Sequence, residues 1–125
     1  MPEFPLPDER NPKDLLGIKK VPLHLVPPAS TIYQALAMWN GAEKYGPYNW
    51  REKKVIASIY IDATMRHLAA WLDGEEYADD SKLPHLAHAL ACIGIIVDAF
   101  ETGNLIDDRP VKGSAAVLLH RLQRE

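Results

Sequence analysis

The residues with the most chemistry in this 125-residue sequence fall between His67 and His88, HLAAWLDGEEYADDSKLPHLAH. His85 and His88 stand three apart, a spacing that puts two imidazoles on one face of a helix. The stretch before them carries Glu75, Glu76, Asp79 and Asp80. Carboxylates beside imidazoles suit a divalent cation, because Mg2+ and Mn2+ take oxygen ligands and Mn2+ also accepts nitrogen. The same run also reads as a solvated turn with packed histidines. It is neither an HExxH zincin motif nor the spaced acids of an EF-hand.

A second concentration is EKYGPYNWREKK, residues 43–54. Lys44, Arg51, Lys53 and Lys54 alternate there with Tyr45, Tyr48 and Trp50. Cations beside rings suit a nucleotide, with charge for the phosphates and a π-face for the base. Trp50 offers the stacking face, and Asn49 an amide that can read a base edge. Standing alone, the stretch also reads as an inter-helix turn. No phosphate-binding GxxxxGK[ST], no GxGxxG and no GxSxG elbow occurs. Cys92, inside LACIGI, reads as buried and inert.

These groups need elements to position them. PPASTIYQALAMWNGAEKYG predicts a first helix capped by Ser30 and stopped by Gly46, with Ile32, Leu36 and Trp39 as its apolar stripe. Glu43 extends that stripe, where it is either a ligand or an escape to water at the helix end. Residues 49–73 predict one long second helix, stopped by Gly74, with a polar line of Ser58, Asp62 and Arg66 at four-residue spacing. A third helix is predicted from a Ser81 cap to about Gly103, with an apolar stripe of Leu83, Leu86, Leu90 and Val97. NLIDDRPVK reads as a loop. A short last helix follows Ser114, with Val117, Leu118 and Leu122 facing inward. No run alternates at period two, so no strand is predicted. The fold class is all-α, a helical bundle over 29–125 preceded by a Pro-rich arm over 1–28, which holds seven of the ten prolines. The arm is expected to lack regular structure and either to lie on the body, its own or a neighbouring protomer's, or to be a partly ordered terminus.

Composition narrows the function. Net charge is -3 with pI near 5.9, which disfavours coating a polymeric nucleic acid. No apolar run spans a bilayer. A single cysteine fits a reducing cytoplasm, and the first residues lack the pattern of a signal peptide. Two helices apolar around much of their circumference predict a homo-oligomer, a dimer or tetramer.

AEKYGPYNWR, then DATMRHLAAWLDGEEYADDSKLPHLAHALACI at the observed spacing, resembles the phage and bacterial dATP/dGTP diphosphohydrolase N-terminal-type domain over roughly residues 30–102. That family is related to the all-α nucleoside triphosphate pyrophosphatases of the MazG type, with MazZ-like phage enzymes among its members. The resemblance implies metal-dependent hydrolysis of dGTP and dATP to monophosphate and pyrophosphate, with Mg2+ or Mn2+ as cofactor. It also implies a role in supplying 2-aminoadenine nucleotides to a phage. MazG proteins carry ExxE and a later ExxD; here the one ExxD is Glu76–Asp79, and no ExxE precedes it. Read beside the resemblance, the residues give a metal set of Glu43, Asp62, Glu75, Asp79, His85 and His88. The catalytic set is Glu43, Asp62, Arg66, Glu75 and Asp79. The substrate-binding set is Lys44, Asn49, Trp50, Arg51 and His67. The rival reading is a non-enzymatic helical module that binds a nucleotide or serves phage assembly.

Overall fold

A computed structural model describes residues 11–125. Its central helix is α5, His85–Glu101, against which both α4 (Ala57–Leu72) and α2 (Pro28–Tyr45) pack. The all-α reading holds. The other helices are α1 (Pro12–Gly17), α3 (Asn49–Glu52) and α6 (Ala115–Arg121).

α5 can serve two neighbours because its buried positions are alanines: Ala87, Ala89, Ala91 and Ala99. Small side chains let helix axes approach closely. Ala37 of α2 packs on Ala87 and Ala91, with Met38 alongside. This close approach corrects the predicted stripes. Ile32 and Trp39 are exposed, Leu36 is half-buried, and the buried α2 position is Ala37. Val97 of α5 is likewise exposed. Bulk governed the prediction, whereas the room between the axes governs which residues enter.

The predicted long second helix is broken. After α3 the chain extends through Lys53, and Val55–Ile56 form β1, pairing in parallel with β2, Leu105–Ile106. Two β-branched residues meeting a second apolar pair favour the ladder over a continuous helix. Parallel strands need a crossover, which α4 and α5 supply. Asp108, in the segment read as loop, then caps α4. Its carboxylate accepts the Ser58 backbone N–H at 2.9 Å and the Ser58 hydroxyl. An anion at a helix N-terminus meets the positive end of the dipole. Ser58 is thus spent on a cap and not on a line with Asp62 and Arg66.

Helix ends differ from the prediction in two places. α2 begins at Pro28, ahead of Ser30, and α5 begins after Pro84. Ser81 instead accepts the Leu83 N–H within the preceding turn. The stops at Gly46, Gly74 and Gly103 stand, each with positive φ, a region that glycine enters without a Cβ penalty.

The arm departs from expectation. Pro12–Gly17 is helical, capped by the Asn11 side chain on the Lys13 N–H at 2.9 Å, and Pro at the first turn is compatible with that start. Leu16, Ile18, Val21, Leu23 and Leu25 stay exposed, so this stretch is not laid on the body of its own chain. The predicted arm residues 1–10 lie outside the described residues. The last helix also keeps Val117, Leu118 and Leu122 exposed. No helix among the described residues is long and apolar enough to cross a membrane.

Candidate functional site

α2 runs antiparallel to α5. Gln34 lies on Gly94, Ala37 on Ala87 and Ala91, and Lys44 acts electrostatically on His88 and Asp80. Because α2 and α4 both rest on α5, a gap opens between them. The segment after Gly46 returns along it and anchors at Trp50. The result is a cavity of about 690 Å³, a size ordinary for a small-molecule site. Lys44, His67, Asp80 and His88 line one end. Toward the other lie Gln34, Met38, Asn49, Tyr60 and Ile95. Gln34 and Lys44 are ten residues apart on one helix, about 15 Å along its axis.

Histidines crowd the charged end. His85 is buried, and its Nε2–H donates to Glu75 Oε1 at 2.7 Å. Its Nδ1 shares a hydrogen bond of 2.8 Å with His67 Nδ1, so the two rings cannot both be imidazolium. His67 stacks on His88 with ring centroids 4.7 Å apart. His88 Nε2 and Ser81 Oγ share a hydrogen bond of 2.7 Å. Burial lowers the pKa of His67, and His88 and His85 add to that. Burial also lowers His88, against the pull of Asp80 and together with His85 and Lys44. Both rings are therefore neutral at pH 7. Asp80 is held below its ordinary pKa by the Ser81 backbone N–H and by Lys44 and His88. Cys92, half-buried on the cavity wall, is pushed up by burial and stays a thiol.

The second predicted cluster has a different arrangement. Trp50 is 6% exposed, and its indole N–H donates to Asp98 Oδ2 at 2.7 Å. Arg51 makes a two-pronged bond to the same carboxylate, 2.8 Å for each arm, while its guanidinium sits 4.5 Å over the Tyr48 ring. Arg51 and Trp50 hold the Asp98 pKa down to about 2. This three-residue clamp fastens the α2–α4 connection to the end of α5, and it engages the groups read as stacking face and phosphate cation. Asn49 is half-buried on the cavity wall and Lys44 lies at its rim.

Of the six residues read as metal ligands, Glu75 and His85 are joined at 2.7 Å and His88 lies in the same histidine cluster, while the other three stay exposed. Glu43 is exposed on α2, and Asp62 and Arg66 are exposed on α4. Asp79 is exposed, 3.8 Å from Lys82. His85 has both ring nitrogens engaged. Among the described residues no group of three or more His, Cys, Asp or Glu side chains is placed to hold a metal ion. The donor set therefore does not fit a preformed protein cage. The sequence reading missed Gln34 and Asp98, named Asp80 in the acidic run without choosing it for the site, and gave Ser81 only as a helix cap. Asp80 adjoins a residue that was chosen. Gln34 and Asp98 are single polar residues in helices, with no local signal to mark them.

The sequence profile described as dATP/dGTP diphosphohydrolase, N-terminal, matches residues 10–109. The chain belongs to the dATP/dGTP diphosphohydrolase N-terminal family. The family match takes in α1 and most of the arm, beyond the 30–102 over which the resemblance was read. A Salmonella phage PMBT28 protein named dATP/dGTP diphosphohydrolase is 33% identical over 114 residues. That alignment covers 88% of this chain and 38% of the relative, so the chain spans well under half of that protein's length. No solved structure matches the chain. The family domain thus contains the whole cavity and both of its ends.

Proposed function

We propose that this domain hydrolyses dGTP and dATP to the monophosphate and pyrophosphate. The observation that carries the reading is the polarity of the cavity. Carboxamides and apolar walls at one end suit a base, and Lys44 with the histidines at the other suits phosphates. The name of the Salmonella phage relative agrees with this substrate class. In a phage, the dGMP released would feed synthesis of 2-aminoadenine nucleotides.

The chain's own residues divide the work as follows. Lys44, with Arg66 at the periphery, draws the triphosphate to the histidine end. Glu75 accepts from His85 Nε2–H, and in the tautomer in which His67 Nδ1–H donates to His85 Nδ1, His67 Nε2 carries no proton. That leaves a lone pair on His67 Nε2, able to accept a hydrogen bond from an attacking water. Asp80 and His88 complete the polar wall. Mg2+ or Mn2+ belongs to the proposal as a companion of the substrate, since Mg2+ is commonly held by one or two carboxylates plus phosphates. Bound in that way, with Asp80 as the carboxylate on the cavity wall, it would neutralise phosphate charge.

Incubation with each of the four dNTPs and Mg2+ or Mn2+, with pyrophosphate assayed, tests the reading. Release from dGTP and dATP supports it. Tight nucleotide binding without pyrophosphate release would replace it with the non-enzymatic binding module. Homo-oligomerisation is part of the same proposal. Ile32 and Trp39 on α2, with Met65, Leu68 and Leu72 on α4, expose a large apolar area that a second copy would cover.

A further inference from the structure

Gly94 sits in the interior of α5, where glycine costs about 1 kcal/mol relative to alanine. A reason for it lies across the helix interface. A Cβ at position 94 would come within 2.1 Å of Gln34 Nε2. The missing side chain makes the room in which the Gln34 carboxamide rests. That carboxamide lines the cavity and is half-buried. It makes no hydrogen bond among the described residues, and neither of its polar atoms is sealed off unsatisfied. A donor and an acceptor are thus held side by side, uncommitted, at the end of the cavity away from Lys44 and the histidines.

We propose that Gln34 is the base-reading residue of this cavity, held in place by the space at Gly94. The inference rests on the nucleotide reading above and assigns its specificity. A carboxamide pairs with an N–H beside an acceptor, as in the adenine edge of N6–H and N7 or N1. Rotated by half a turn, the same group accepts from guanine N1–H and donates to O6. One side chain therefore accommodates both purines by exchanging its two ends, with no movement of the backbone.

Gln34→Glu is the discriminating variant. A carboxylate only accepts. It suits the adjacent N1–H and N2–H donors of guanine and repels the ring acceptor that adenine places beside N6–H. The ratio of kcat/KM for dGTP over dATP should rise at least about tenfold, the scale of one good bidentate contact. Gln34→Leu should lower kcat/KM for both purines by a similar factor. Gly94→Ala should reproduce that loss by displacing the amide, and adding it to Gln34→Leu should cost nothing further. Because Gln34→Leu could disturb packing, the wild-type protein supplies a second readout. The side-chain amide NMR signals of Gln34 should shift on titration with dGMP and dAMP. An unchanged dGTP/dATP ratio in Gln34→Glu, or Gln34 signals that ignore both nucleotides while dGTP is hydrolysed, overturns the assignment and leaves the function standing. Shifts without hydrolysis of any dNTP overturn the function and uphold the assignment.

Discussion

Trp50→Ala separates a core pillar from a stacking platform. Trp50 is 6% exposed and belongs to a cluster with Val55 and Ala99, against which Met38, Tyr60 and Ile95 pack. Removing a buried indole costs about 3–5 kcal/mol. That is a large share of the ~5–15 kcal/mol that holds a domain folded. With an unfolding entropy of about 2.1 cal/mol/K per residue, a chain of this length should lose roughly 11–19 °C in Tm. Trp50→Phe keeps most of the packing and should lose much less, since Arg51 still satisfies Asp98. Differential scanning calorimetry reads the shift, and dGTP binding is measured well below the lowered Tm. A platform facing the ligand predicts the reverse pattern: an almost unchanged Tm with binding lost. A Trp50→Ala protein that melts within about 2 °C of wild type but no longer binds dGTP would refute the reasoning.

Five further outcomes follow. Stability should be complete above about pH 6.5, where the unfolded histidines are neutral, and should decline as pH falls below it, because burial holds His67 and His88 below that value in the folded state. Replacing both with Gln should flatten that decline in urea titrations at stepped pH. The Asp98 clamp contributes above the ordinary carboxylate pKa near 4 and is lost as pH falls toward about 2, so Asp98→Asn should shift acid unfolding upward in pH. Ala87→Leu places bulk in a position with no exposure and should cost about 1–3 kcal/mol by overpacking, read as a lower urea midpoint. His88→Ala should abolish pyrophosphate release while far-ultraviolet circular dichroism is unchanged, and light scattering should give a mass that is a multiple of 14.0 kDa; full activity or a stable single-chain mass would refute the respective claim.

The sequence determined the helical class and the outer punctuation of the main helices. Local rules suffice for these: Gly46, Gly74 and Gly103 end helices because only they adopt positive φ cheaply. It also singled out His67, His85 and His88, whose rings do meet. What those histidines do was not legible. The bond between His67 and His85 spans eighteen residues, and the preference of His85 for Glu75 depends on how the turn folds back. The same limit hid the break at Val55–Ile56, whose pairing partners lie fifty residues on. It also concealed the burial of Trp50, because Asp98 is adjacent in space and not in sequence. Amphipathic pattern named the bulky residues as core, yet α5 is lined with alanine and admits the small residues of α2. Interaxial distance is a property of two helices together, and no single helix encodes it. The cavity follows from that distance, as do its two chemically distinct ends and the place of Gln34 against Gly94.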